Sequence, residues 1–147
     1  MNITEAVAQA RTDGDYQGVI DSIPYMKFLG LTVSSDENGP LVMMPGSDHI
    51  IGNPVLPAIH GGVVGAFLES AAIVHLIWAH ESRSVPKIIN LTVEYLRSAR
   101  VVDTYAQATI TKHGRRIANM RIEAWQADRA KPVAAAHAHF LLPGEES

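Results

Sequence analysis

The chain has 147 residues, 47% of them hydrophobic and 18% charged, with a net charge of −3 at neutral pH. That length and composition suit a single globular domain over residues 1–147 and exclude a disordered chain. The acidic balance argues against nonspecific nucleic-acid binding. The lack of cysteine excludes disulfides, thiolate metal sites and cysteine nucleophiles, and fits a reducing, cytoplasmic setting.

Residues 4–11 read as a short helix, broken at Asp13-Gly14-Asp15, and residues 16–22 as a further turn. Residues 1–22 are therefore expected to form a short helical lead. The first fifteen residues do not couple a basic stretch to an apolar run, so no signal peptide is expected. Residues 24–29 read as a helical turn stopped by Gly30. Residues 31–35 and 41–44 flank Asp36-Glu37-Asn38-Gly39-Pro40, which predicts a hairpin with a turn-rich loop. Residues 47–59 are a Gly- and Pro-rich loop.

The stretch 59–79 organises the rest. His60-Gly61-Gly62 opens it, and apolar residues from Val63 to Trp78 spread around every side of a 3.6-residue helix. A helix that is apolar all round is buried. The run 63–79 is short for a membrane span and holds Glu69 and His75, so a core helix is expected and a membrane segment is not. Glu69 is the one acid in the helix, and its neighbours three and four residues away are Gly65, Ala66, Ala72 and Ile73. A carboxylate there is costly unless it is hydrogen-bonded or used, which points to a base or nucleophile with a raised pKa. Free amides at a helix N-terminus stabilise a developing oxyanion, and glycine lets a ligand approach them. Gly61 lies about 12 Å from Glu69 along the helix, at about 1.5 Å per residue. One helix therefore cannot bring both groups to one small reacting carbon. Two antiparallel copies across a twofold axis can, which places a site using both groups between subunits of a homodimer.

Four strands are expected after the helix. Residues 87–96 alternate, with Ile89, Leu91, Val93 and Tyr95 on one face. Residues 104–112, 116–127 and 133–142 follow, and the short links between them imply antiparallel neighbours. A hairpin, one long buried helix and four antiparallel strands make an α+β fold, a sheet wrapped round a single helix.

That order, with His60-Gly61-Gly62 opening the helix and an acid at Glu69, resembles the hotdog-fold acyl-CoA thioesterases, and most of all their PaaI-like (phenylacetate-pathway type) branch. The resemblance spans roughly residues 24–142. Its strongest parts are Gly52-Asn53-Pro54 through Glu69-Ser70-Ala71, the strand around Leu91-Thr92-Val93-Glu94-Tyr95-Leu96, and Gly114-Arg115-Arg116.

The resemblance implies that the Gly61 amide polarises a thioester carbonyl. It implies that Glu69 of the other subunit attacks that carbonyl or activates water. His60 would orient the site, and Asn53 would hold water or the carbonyl. Gly62, Asn90, Arg115 and Arg116 are the expected substrate contacts, with the two arginines at the phosphates of CoA. No separate cofactor is expected, because CoA is part of the substrate. The assembly would be a homodimer, or a homotetramer built from it.

Where many relatives carry Ser or Thr, this chain has Ile88, which cannot orient water. Alternation puts Asn90 and Thr92 on the same strand face, as candidates for that task. Phe67, Leu68, Met43, Met44 and Tyr25 are candidates for the acyl pocket.

Two other functions fit parts of the pattern. A hotdog hydratase or dehydratase is suggested by His49, Gly52-Asn53-Pro54 and Pro57 ahead of Glu69, although residues 57–69 are too long a spacer for it. A non-catalytic acyl-CoA-binding domain leaves Glu69 without a purpose. No nucleophile elbow surrounds Ser70. His137 and His139 share a strand face without a third ligand, so no metal is expected. His75 is expected to be a satisfied core histidine.

Overall fold

The computed structural model describes residues 1–80 and 84–143. Three short helices come first: α1 (Ile3–Asp13), α2 (Gln17–Asp21) and α3 (Pro24–Phe28). The hairpin β1 (Thr32–Asp36) and β2 (Gly39–Met44) follows, then the short strands β3 (Ile51–Asn53) and β4 (Ala58–Ile59). The long helix α4 (Gly61–Ala79) precedes β5 (Lys87–Tyr95), β6 (Thr104–His113), β7 (Ile117–Trp125) and β8 (Ala134–Leu141). The main sheet runs β1-β2-β6-β7-β8-β5, and every pairing in it is antiparallel. This is the α+β hotdog architecture, a sheet wrapped round one central helix.

The sheet face toward α4 is rich in small residues. Ala106, Ala108, Ala118, Ala124, Ala134, Ala136 and Ala138 are all buried there, between the larger Met120, Ile122 and Phe140. The alanines let the helix approach closely, and Phe67, Leu68, Val74, Leu76 and Ile77 fill the space from the helix side, each at most 1% exposed. α4 is long and apolar enough to cross a membrane, but most of it is buried against this sheet. Phe67, Leu68 and Met44 are fully buried members of this core, whereas Met43 is half-buried and Tyr25 is exposed. Ser70 is satisfied within the helix, its hydroxyl donating to Ala66 O at 2.8 Å.

Four details differ from the sequence reading. The β1–β2 loop is a tight turn, because Asp36 pairs directly with Gly39. Gly39 has φ +109°, and a Cβ there would sit 3.1 to 3.3 Å from Trp78 and His75, so glycine is needed on both counts. The loop before α4 contains the β3–β4 ladder.

The link over residues 96–103 does not join neighbouring strands. β5 pairs with β8 at one edge of the sheet, while β6 lies between β2 and β7. The link is pinned instead to β4, with Ile59 N donating to Ala99 O at 2.9 Å, so it crosses the strand ends rather than closing a hairpin. Finally, β5 carries a bulge. Ile88 pairs with Phe140 and Asn90 with His139, leaving Ile89 as the extra residue. Strict alternation therefore fails. Ile88 faces the helix side with Phe140, and Asn90 and Thr92 face the opposite side of the sheet.

Candidate active site

The start of α4 is held from three directions. His60 N donates to Ile50 O at 2.8 Å. β3 and β4 pair through Ile51–Ile59 and Asn53–Ala58, with Gly52 as the bulged residue between. Gly52 lies directly against His60, and a Cβ on it would stand 2.5 Å from His60 Cα. His60 is the N-cap of α4, and its imidazole Nδ1 accepts from Gly62 N at 2.9 Å. Val63 N and Val64 N both donate to His60 O, at 3.0 and 3.1 Å. The amides of the first turn are therefore satisfied, with one exception. Among the described residues, no acceptor takes the Gly61 N–H. An unpartnered amide at a helix N-terminus carries partial positive charge and suits an oxyanion.

Gly61 lies at the wall of a cleft of about 380 Å³, which also takes in Val64, Tyr95, Leu96, Ala99 and Val133. Tyr95 Oη donates to Gly61 O at 2.7 Å.

α4 leaves one stripe free of the sheet. Gly62 is exposed, and Ala66 and Glu69 are half-buried along the same side, at spacings of four and three residues. Burial pushes the Glu69 carboxyl above its usual range. Among the described residues it has no hydrogen-bond or ion-pair partner. Within one chain, Glu69 and the Gly61 amide remain about two helical turns apart.

The other sequence candidates lie elsewhere. Asn53 is exposed in the β3–β4 turn, where its Oδ1 accepts from Val55 N (3.0 Å) and Leu56 N (3.3 Å). Its carbonyl oxygen thus braces its own loop. Asn90 sits on the outer sheet face, its Oδ1 accepting from His139 Nδ1 at 2.6 Å. Arg115 and Arg116 are exposed at the β6–β7 turn, lining a groove of about 370 Å³ with Lys112 and Asn119. That turn is at the opposite end of the sheet from Gly61: Ile117 and Lys87 pair with Leu141, whereas Tyr95 pairs with Ala134. It adjoins the C-terminal end of α4, where the His80 and His113 rings are 5.5 Å apart.

His75 is buried as expected but not satisfied. Its Nδ1 has no hydrogen-bond partner among the described residues, and burial pushes its pKa down.

Sequence reasoning gave no role to Gly52 or Tyr95. The signal for Tyr95 was a hydroxyl ending a row of aliphatic residues, since a tyrosine in such a place usually finds a polar partner. Gly52 was visible in the motif, but its contact with a residue eight positions later depends on the β3–β4 pairing.

The chain belongs to the thioesterase superfamily, whose sequence pattern matches residues 56–133. Among solved structures it is similar to a protein from Chromobacterium violaceum, at 42% identity over 96% of this chain and 98% of that one, with a TM-score of 0.78. A phenylacetic acid degradation-related protein from Ralstonia eutropha shares 23% identity over 82% and 90% of the two chains, with a TM-score of 0.73. A protein from Bacillus halodurans, solved with CoA, shares 17% identity over 97% and 93%, with a TM-score of 0.67. No curated protein matches the sequence.

Proposed function

We propose that this protein is an acyl-CoA thioesterase of the PaaI-like type, hydrolysing an acyl or aryl thioester to the free acid and CoA. The observation that carries the proposal is the pair of unsatisfied groups on α4. Glu69 is a half-buried carboxylate with no partner among the described residues, on the helix face that the sheet leaves open. Among the described residues the Gly61 amide is the one unpartnered donor of the first turn. Thioester hydrolysis needs such a combination, a base or nucleophile and a donor aimed at the carbonyl oxygen.

The two groups meet between subunits of a homodimer, with homotetramers as a further step. A twofold axis near residue 65 sets the antiparallel copies so that Glu69 of one faces the Gly61 amide of the other. β5 supports this reading. It is an edge strand with Ile88 (37%), Ile89 (51%) and Tyr95 (58%) exposed, and an uncovered apolar edge invites a second copy. In the same arrangement, Arg115 and Arg116 lie beyond Glu69 at the C-terminal end of their own helix. That places them roughly 15 Å from the partner's Gly61 amide, about ten residues of helix rise, a span that suits the extended arm between a thioester and the CoA phosphates. His60 and Gly62 complete the polarising end, and Asn53 braces the loop before it, while Asn90, on the far face of the sheet and bonded to His139, stands outside the site. The absence of cysteine fits a cytoplasmic site of action.

Subunit mixing tests the shared site. Gly61→Pro removes the amide at a position where proline fits, because N1 tolerates it and His60 already has ψ 130°. Gly61→Pro and Glu69→Gln dimers should each fail to release thiol. Mixed in equal amounts and allowed to exchange, they should recover about a quarter of wild-type activity, since half the dimers hold one intact site of two. No recovery, despite proven exchange, contradicts the shared site. Hydration of an enoyl thioester without thiol release contradicts the hydrolase.

A further inference from the structure

We propose that Tyr95 is a positioning residue that fixes the proton of His60 through the Gly61–Gly62 peptide. Tyr95 ends β5 on the helix side of the sheet, opposite Ala134. Its backbone is anchored from behind: Leu96 N and Arg97 N both donate to Val133 O, at 2.9 and 3.1 Å, and Arg97 Nη1 donates to Pro132 O at 2.7 Å. From this base the phenol reaches the first residue of α4 and donates to Gly61 O at 2.7 Å. The ring lies on Gly61, where a Cβ would meet ring carbons and the hydroxyl at 3.5 Å.

Within one chain burial does not force this bond, because the residue is 58% exposed before a second copy covers β5. Nor does the helix require it, because an α-helical carbonyl already receives the amide four residues on. What the bond adds is polarisation. Gly61 C=O and Gly62 N–H belong to one planar peptide unit. Donation to the oxygen strengthens the N–H as a donor, and linked hydrogen bonds reinforce one another by roughly 10–30% each. That N–H donates to His60 Nδ1 at 2.9 Å.

A backbone amide can only donate, so Nδ1 accepts and the neutral ring carries its proton on Nε2. Glycine at 62 permits the contact, since a Cβ there would stand 2.9 Å from Cε1 and 3.0 Å from Nδ1 of His60. The result is two hydrogen bonds across one peptide plane, ending in an Nε2–H donor on an exposed ring. Resting on the thioesterase reading, this uncharged donor stands beside the Gly61 amide as a second source of hydrogen bonding to the thioester carbonyl.

The test is Tyr95→Phe, which keeps the ring on Gly61 and removes the hydroxyl. Nitrogen-15 NMR of labelled histidine reports the tautomer, with His60→Gln identifying the His60 signals. In the wild type, Nδ1 should be unprotonated and Nε2 protonated. In Tyr95→Phe the Gly62 amide still donates to Nδ1 but more weakly, so the Nδ1–H share should rise about twofold and kcat for thiol release should fall about twofold with KM unchanged, the size expected when one hydrogen bond loses roughly 10–30% of its strength. A wild-type His60 protonated on Nδ1, or either signal unmoved in the variant, overturns the proposal. If wild type releases no thiol from any acyl-CoA, the thioesterase reading fails, while the tautomer measurement still decides the hydrogen-bond relay.

Discussion

Gly52→Ala should loosen the start of α4 by pressing on the backbone of His60. The added methyl would stand 2.5 Å from His60 Cα, 2.8 Å from its Cβ and 3.0 Å from its N. The closest of these is about 0.9 Å short of ordinary van der Waals contact, and the obstacle is backbone, so it cannot swing aside. Either the β3–β4 ladder opens or His60 moves. Overpacking of this kind costs about 1–3 kcal/mol. At about 2–4 °C per kcal/mol for a chain of this size, urea or thermal unfolding should register it. His60 carries the cap of α4, so its displacement carries the Gly61 amide with it. A misplacement near 1 Å costs on the order of 100-fold in turnover. Gly18→Ala is the control: it lies within α2, a Cβ there meets nothing within 4 Å, and it should be neutral or stabilising by about 0.4–1 kcal/mol. Gly52→Ala with unchanged stability and turnover would refute the argument that this contact sets the helix start.

Other consequences follow from the same geometry. Burial raises the Glu69 pKa, so the stability it permits is complete below the ordinary value of 4.5 and is lost as pH rises through the folded pKa. Glu69→Gln should therefore unfold at higher denaturant than wild type at neutral pH, and the two should converge in acid. His75 is the opposite case. Its depressed pKa gives stability that is full above 6.5 and falls as pH drops toward the folded value, because the unfolded chain takes up the proton first. His75→Leu also removes a buried nitrogen that has no partner among the described residues, worth about 1–3 kcal/mol. Its stability advantage over wild type, read by urea titration, should grow below pH 6.5. Arg115→Ala combined with Arg116→Ala should raise KM for acyl-CoA about tenfold, equivalent to about 1.4 kcal/mol, and leave kcat and the KM for an acyl-pantetheine unchanged. An equal loss with both substrates would place the arginines elsewhere in the mechanism.

Much of this could be read from local pattern. α4 was legible because its apolar residues leave no polar side, and Glu69 because its neighbours three and four residues away cannot partner a charge. The strand after the helix was legible from alternation, but its placement was not. Pairing of β5 with β8 joins residues some 45 positions apart, and nothing near residues 96–103 records it. The bulge at Ile89 was equally hidden, since a run of Ile88, Ile89 and Asn90 reads as plain strand. One unpaired residue there turned Asn90 and Thr92 to the far side of the sheet from Ile88. The contacts that hold the candidate site, Gly52 on His60 and Tyr95 on Gly61, join segments that meet after folding. Their residue types hinted at a purpose, and the fold supplied the partner.

The most direct measurement is free-thiol release from short, medium, long and aryl acyl-CoAs, with wild type and Glu69→Gln assayed side by side and their oligomeric state checked. Wild type should release thiol from at least one class. Glu69→Gln should lose about 10²–10⁴-fold, the contribution of a positioned base, while its assembly persists. Near-normal release by Glu69→Gln would contradict the role of the carboxylate, and no release by wild type from any substrate would contradict the reaction itself.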